Sequence, residues 1–575
     1  MDDIEKRSIL SEVALGNVPP DAVIRDGTVF NVFTGEFIQG QSIWIKEGMI
    51  AYIGSDSDFL TGEKTLVIEA EGMVLLPGLI EGHTHIVSNR SGIGEFIKHV
   101  IPRGVTTVVT ETMEFVPIVG KDGIEYVVKG LEGQPIRFYY TIPPLCGLTP
   151  SEEINAPTNE EFFSFLKDPK CLGVGEIYWG NIFLEGIQGE RVKELVSLAL
   201  GLGKIIEGHS AGAKGKKLQA YACLGVSSCH EPINEEEVLE RLRLGYWVMI
   251  REGTIRKELD GVKGIFRKEI DLRRLILVTD GVDPEGFLEE GYLDASLRRA
   301  MKLGAPPALA YRMVTLNVAE RFHLDHLIGS ISPGKMADIV AIPSPDDFSP
   351  QWVMCEGRMI YRNGQSLVKP REISFPSHMF DTIKISDYAF PPLPKKGKVR
   401  AIELVTRLVT EERVIDLDNP EESKDVIPVL ALNRIGTGNG FMGFLKGFGL
   451  RKGACGSTMC WDTIDLIVAG CDTRSIKTVI ERLKEIGGGA VYAIGDEVVS
   501  EFSAPLCGMV SLKSMETIRE EVRKIEESLR KNGVQWERPI LTLDVLGTPA
   551  IPRLRITHHG YVRLKDRKVL PLEIV

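Results

Sequence analysis

Apolar positions in this chain follow two spacings, and the switches between them divide it into parts. Residues about 20 to 75 alternate apolar and polar positions in short runs: Thr28-Val29-Phe30-Asn31-Val32, Ser42-Ile43-Trp44-Ile45-Lys46, Met49-Ile50-Ala51-Tyr52-Ile53 and Thr65-Leu66-Val67-Ile68. Period-two alternation rich in β-branched residues predicts strands joined by turns. The same texture returns at Ala337 to Ile342, Gln351 to Met354 and Arg358 to Tyr361, before a turn at Asn363-Gly364. Two β-rich flanks around a long middle predict one small β-sandwich domain built from residues 20–75 and 330–370.

The middle, residues 76–329 with a first strand beginning just before it, alternates solid apolar runs with helical patterns. Eight strand candidates stand out: Met73–Leu76, Thr106–Val109, Arg137–Thr141, Leu172–Glu176, Lys204–Ile206, Val226–Ser228, Tyr246–Ile250 and Leu275–Thr279. Glu190 to Leu202 and Asn234 to Leu244 are examples of the helical stretches between them. Strict alternation of strand and helix implies parallel strands with crossover helices. Eight such units fit an α/β fold of the (β/α)8 barrel type. An open doubly wound sheet is the alternative, and the absence of a Gly-rich dinucleotide fingerprint after the first strand counts against it. Residues 365–395, rich in Pro, Lys and Ser, read as a linker. Residues 396–575 mix strands with helices at Thr473–Glu485 and Ser514–Lys531, which predicts a separate C-terminal α/β domain.

Composition narrows the function classes. A chain of 575 residues exceeds one ordinary domain, and 43% hydrophobic residues suffice for a sizeable core. A net charge of −12 argues against nucleic acid or an anionic membrane as the main partner. No apolar run reaches the length of a membrane span, and the charged start MDDIEKRSILSEV lacks the apolar core of a signal peptide. The nine cysteines form no CxxC pair, which points to reduced thiols in the cytoplasm. Homodimerisation is the base-rate expectation.

Candidate chemistry lies in the placement of a few histidines and carboxylates. Only 10 histidines occur, and two of them form His83-Thr84-His85 directly after an apolar run. Side chains two apart on a strand share a face, so both imidazoles can reach one metal. His209 and His230 each end a later strand candidate, as do Glu176 and Asp280. Singly, such a residue is more often a satisfied polar group than a ligand. Jointly, four imidazoles and two carboxylates at strand ends are what a pair of divalent ions at a barrel mouth requires. Paired metals generate hydroxide at neutral pH.

The segments PGLIEGHTHI, GEI, EGHSAGAKGKKLQAY, SSCHEPINEEEVLERLRLGYWVMIREGT, VTDG and MVTLNVAERFHLDHLIGSISPGKMADIV together resemble the amidohydrolase superfamily. More narrowly the chain resembles the bacterial and archaeal adenine deaminase family, whose C-terminal domain is matched by GTGNGFMGFLKGFGLRKGA and ERLKEIGGGAVYAI. The resemblance implies a binuclear centre: His83 and His85 on the first metal, Glu176 bridging, His209 and His230 on the second, and Asp280 on the first metal as proton acceptor. It implies manganese first, with iron or zinc as the other metals of the family. It further implies attack of a bridging hydroxide on adenine C6 to give hypoxanthine and ammonia, a purine-salvage reaction. Arg251 and Glu252, at the end of the seventh strand, are candidates to orient the purine or protonate a ring nitrogen, and Tyr178 and Trp179 to contact it.

The match departs from the family pattern around this core. Val87-Ser88-Asn89 stands where the family has Glu-Ser-Ser, and Glu111-Thr112-Met113-Glu114 where it has Asp-Pro-His-Glu. Ile177 to Asn181 replaces a Met-Asn-Phe-Pro-Gly-like turn. Trp461-Asp462-Thr463-Ile464-Asp465 replaces His-Asp-Ser-His-Asn, and Arg434-Ile435 occupies the place of a further His. Two other readings therefore accompany adenine deamination: a related hydrolase of a different purine, cyclic amidine or cyclic amide, and a catalytically silent metal- or purine-binding homologue.

Overall fold

The apolar run Val74-Leu75-Leu76-Pro77-Gly78-Leu79-Ile80 serves two sheets rather than one. In the computed structural model, which describes residues 3–55, 62–385, 388, 390–436 and 438–574, Val74–Pro77 joins the flanking β-sheet and Leu79–Thr84 begins the central array. The first strand of that array is thus Leu79–Thr84, not Met73–Leu76 as the pattern predicts. The break falls at Gly78, where a Cβ would lie 2.2 Å from Thr106 Oγ1, so only glycine lets the chain pass this close. A continuous apolar run carries no mark of such a handover, because both sheets want the same residues.

The two flanks share one nine-stranded sheet. Ile339–Ile342 from the second flank runs antiparallel to Val74–Pro77, with Val340 opposite Leu76. Val74–Pro77 in turn pairs with Ala22–Asn31, which carries Glu36–Lys46 and then Met49–Gly54 beyond it. Alternate residues Ile24, Ile43, Ile45, Leu75, Ile339 and Trp352 form its core, as period-two burial requires.

The central strands are all parallel to their neighbours. Leu79–Thr84, Val105–Thr110, Arg137–Ile142, Cys171–Tyr178 and Ile205–His209 pair in sequence order, and Ser228–Cys229, Trp247–Arg251 and Leu275–Val278 form a second set. The two sets adjoin at both ends: Ser227 N donates to Ile206 O, and Asp280 N donates to His83 O at 3.1 Å. Residues on both faces are buried. Ile80, Val109, Leu172, Ile205, Met249 and Ile276 pack inside, while Val108, Phe138, Val174, Val248 and Leu275 pack outward under the helices. Two-sided burial explains why these strands read as solid apolar runs.

The C-terminal part is an eight-stranded sheet between two helices. Thr473–Glu485 packs Ile476, Val479 and Leu483 on one face, and Met515–Lys531 packs Ile518, Ile525 and Leu529 on the other. Both helices start where the pattern places them, because Asp472 and Ser514 cap the amides of Ser475 and Thr517. The linker is not free: Arg371 donates to carbonyls of Lys129 and Glu132, and Ile383 and Ile385 are buried in the C-terminal core. Among the described residues no helix is long and apolar enough to cross a membrane.

This C-terminal part sits over the mouth of the central array. Arg90 pairs with Asp544 at 3.0 Å, Arg538 with Asp283 at 3.1 Å, and Arg407 donates to the carbonyls of Thr254 and Ile255.

Candidate metal centre and active-site cavity

Strand ends position every candidate ligand. His83 lies at the end of the first strand and His85 directly follows it, Glu176 lies near the end of the fourth, His209 ends the fifth, and His230 directly follows the sixth. Asp280 follows the eighth in left-handed backbone (φ 58°), a conformation Asp tolerates better than most residues, and Gly281 continues the turn at φ 126°. The side chains meet. His83 Nε2 is 3.2 Å from Asp280 Oδ1, and His85 Nε2 is 3.4 Å from Glu176 Oε1 and 3.6 Å from Asp280 Oδ1. On the other side His209 Nδ1 and His230 Nε2 lie 2.6 and 3.1 Å from Glu176 Oε2. Each Glu176 oxygen therefore faces a different imidazole group. Ligand atoms within 4.8 Å of one another define the sets His83–His85–Glu176, His83–His230–Asp280 and Glu176–His209–His230.

The outward nitrogens are held by acceptors, which fixes the nitrogens that face inward. Glu114 Oε1 accepts from His85 Nδ1 at 2.9 Å, so Nδ1 carries a proton and Nε2 is the nitrogen turned toward Glu176. The Ala550 carbonyl lies 3.1 Å from His209 Nε2 and can only accept, so Nε2 carries a proton and Nδ1 is the nitrogen turned toward Glu176. Among the described residues neither His83 Nε2, fully buried beside Asp280, nor Glu111 Oε2 nearby has a hydrogen-bond partner. Buried polar atoms without partners are costly, and a cation shared by His83 Nε2 and Asp280 would satisfy the imidazole. Imidazole and carboxylate donors in this mixture suit manganese, iron or zinc without selecting one.

The electrostatics agree. Burial opposes charge on His83, yet Asp280, Glu111 and Glu176 outweigh it and push the imidazole up to about 9. His209 is likewise pushed up to about 9, by Glu231 and Glu176 against burial. Burial raises Glu111 to about 7 despite His83. Burial also disfavours the Glu176 anion, but His209 and His230 hold it well below the usual carboxylate range. The site thus carries more carboxylate than its own cations balance, and protons on histidine fill the deficit until a metal replaces them.

A cavity of about 240 Å³ opens onto this cluster. His85, Glu176, His209, His230 and Asp280 line its floor, with Glu114, Glu231, Tyr178 and Arg251 beside them. The C-terminal part supplies the facing wall through Met459, Trp461, Asp462, Met509, Asp544 and Ala550.

Two sequence candidates lie elsewhere. Glu252 turns away from the cavity: one carboxylate oxygen accepts from Leu259 N at 3.0 Å and the other pairs with Arg299 at 2.7 Å. The alternation of a strand decides this, because Arg251 faces the mouth and its neighbour must face outward. Trp179 donates to the Ala211 carbonyl at 2.8 Å and stacks beneath Lys217, outside the cavity lining. Conversely, Glu231 is a site residue that strand-end reasoning passed over. It lies 3.2 Å from His230 Nε2 and 2.8 Å from Arg251, and its place directly after His230 was the available signal. Ala550 contributes only a carbonyl, for which a sequence holds no signal.

Arg251 reaches the cluster from the central array, tied to Glu231, Asp280 and Glu258 at 2.8, 3.3 and 3.4 Å. Replacing it by Met would leave buried carboxylates without their counter-charge. Arg251→Met is expected to lower unfolding free energy by about 3–5 kcal/mol, read from denaturant melts of the two proteins. A change below about 1 kcal/mol, the scale of an exposed pair, would show that these contacts are solvated.

The amidohydrolase family pattern matches residues 74–360, and that of the adenine deaminase C-terminal domain matches residues 403–568. The adenine deaminase of Archaeoglobus fulgidus is 33% identical over 578 residues, covering 99% of each chain. That of Clostridium botulinum (strain ATCC 19397 / Type A) is 31% identical over 583 residues, covering 97% of this chain and 96% of its own. A solved β-aspartyl dipeptidase from Fervidobacterium islandicum AW-1 is similar at 19% identity with a TM-score of 0.46, over 62% of this chain and 98% of that one.

Proposed function

The chain belongs to the adenine deaminase family of the amidohydrolase superfamily, and on that premise we propose that it hydrolyses adenine to hypoxanthine and ammonia. The observation that carries the reading is the double use of Glu176, whose two oxygens each face a separate imidazole group at the floor of the cavity. In this reading the two parallel strand sets form one (β/α)8 barrel. His83, His85 and Asp280 would hold one divalent ion and His209 and His230 a second, with Glu176 placed to serve both. Manganese is the first choice, with iron and zinc fitting the same donors.

Bound divalent metals supply a hydroxide nucleophile at neutral pH. The remaining steps belong to the chain. Adenine lies between the ligand floor and the Met459–Trp461 wall, which excludes bulk water. Water adds through oxygen to C6 while the C6=N1 electron pair moves to N1, which ends with one of the water protons; Asp280 takes the other and delivers it to the amine, and ammonia leaves as the C6=O bond forms. Arg251, 3.3 Å from Asp280 Oδ2, fixes that carboxylate's orientation. Glu231, held as a carboxylate by Arg251 at 2.8 Å and lining the cavity, takes the purine-orienting role that Glu252 is turned away from. Tyr178 borders the purine.

One observation favours a second reading, a substituted 6-aminopurine. Val87, Met113 and Trp461, each standing where the resemblance leads one to expect an ionisable residue, all line the cavity. Ammonia or amine release from a panel of purines by metal-loaded protein separates the two. Adenine as the best substrate supports the first reading. An apolar-substituted purine turned over at least about tenfold faster, the discrimination one or two buried methylenes supply, supports the second.

A further inference from the structure

We infer that Asp462, from the C-terminal part of the chain, is a positioning residue for the second metal site: it fixes the two walls that make His209 present Nδ1 to the metal. The inference rests on the two-metal reading.

His209 can serve as a ligand only through Nδ1, because that nitrogen faces Glu176 Oε2 at 2.6 Å and His230 Nε2 at 3.2 Å. The proton must then sit on Nε2, and the Ala550 carbonyl holds it there at 3.1 Å. That carbonyl is itself fixed. Ala550 N donates to Thr548 Oγ1 at 3.1 Å, and the Thr548 hydroxyl donates to Asp462 Oδ2. The opposite wall ends on the same atom: the Tyr178 ring packs edge-on against His209 (centroids 4.9 Å apart, 86° between planes), and its hydroxyl donates to Asp462 Oδ2 at 3.2 Å. One buried oxygen thus ties the carbonyl on one side of the imidazole to the ring on the other.

The barrel alone does not complete this slot. The fifth strand fixes the His209 backbone, with His209 N donating to Tyr221 OH at 3.1 Å. The acceptor that selects the tautomer comes from more than three hundred residues further along the chain. Asp462 has left-handed backbone (φ 55°), which Asp and Asn adopt more readily than other non-glycine residues. Both donors reach a single oxygen, so the amide of Asn can accept both and negative charge is not needed.

The experiment uses full-length protein loaded with manganese, with bound metal counted while a chelator of known affinity is titrated in. Asp462→Ala and Thr548→Val are expected to lose the second metal at about 10–100-fold lower chelator concentration than the wild type, the usual effect of removing an outer partner of a metal ligand. Asp462→Asn is expected to retain it as the wild type does. Thr548→Val leaves the Asp462 backbone untouched, so it carries the test if Asp462→Ala does not fold. Wild-type metal retention in folded Thr548→Val or Asp462→Ala overturns the inference. Loss in Asp462→Asn equal to that in Asp462→Ala also overturns it, because charge and not the shared oxygen would then be at work. A wild-type protein that binds fewer than two metals overturns the two-metal reading instead.

Discussion

Asp280→Asn should lower kcat/KM for adenine by about 10²–10⁴-fold while both metals stay bound, the range set by losing a positioned proton carrier. Asn has nearly the same shape and keeps one oxygen where Asp280 Oδ1 now lies, 3.2 Å from His83 Nε2. What it cannot do is accept a proton and return it. His83, His230 and Arg251 hold the Asp280 carboxyl well below the usual carboxylate range, against the opposing effect of burial, so it is an anion at every working pH. The loss should therefore be nearly constant across neutral pH rather than confined to one limb of a pH profile. Steady-state kinetics beside elemental analysis of the same preparations check this. A variant holding two metals with near wild-type kcat/KM would remove Asp280 from the proton path.

Metal removal should abolish deamination, and return of manganese, iron(II) or zinc should restore it. The effect has a pH dependence of known sign. In the metal-free site His83 and His209 are raised from an ordinary value near 6.5 to about 9, so both carry protons at pH 7. A metal must displace those protons, so its affinity rises as pH increases toward about 9 and falls on the acid side. For the metal-free fold the sign is opposite. A histidine whose folded value is raised contributes stability that is fully present below about 6.5 and is lost as pH climbs through about 9. Alkaline buffer should thus strengthen metal uptake and weaken the metal-free protein. Calorimetric titration of the metal in buffers of different ionisation enthalpy reads the released protons directly. Uptake with no proton release between pH 6.5 and 8.5 would show that the imidazoles are already neutral.

These expectations separate what a linear chain can specify from what only folding decides. His83-Thr84-His85, Glu176, His209, His230 and Asp280 were legible because strand ends are legible. A solid apolar run followed by an ionisable residue marks the point where the backbone leaves a buried sheet, and parallel strands bring all such points to one end. The helices Thr473–Glu485 and Met515–Lys531 were legible for a related reason: cap, periodicity and length lie within one local stretch. The assignment of Val74–Pro77 was not legible. Its residues suit either sheet, and the decision rests on Gly78 meeting Thr106 some thirty residues away.

The cavity shows the same division. Chain order alone specified the candidate ligand types, their places at the strand ends and the mixed imidazole–carboxylate chemistry they offer. Tertiary structure decided that Arg251 faces the mouth and Glu252 does not, that Glu231 stands beside His230, and that Asp462 and the carbonyl of Ala550 close around His209. The physical reason is range. Propensity, periodicity and capping act within a few residues and leave a trace in the order of amino acids. A hydrogen bond from an imidazole to a backbone carbonyl of a distant segment depends on how two packed bodies meet, and any residue type can supply that carbonyl.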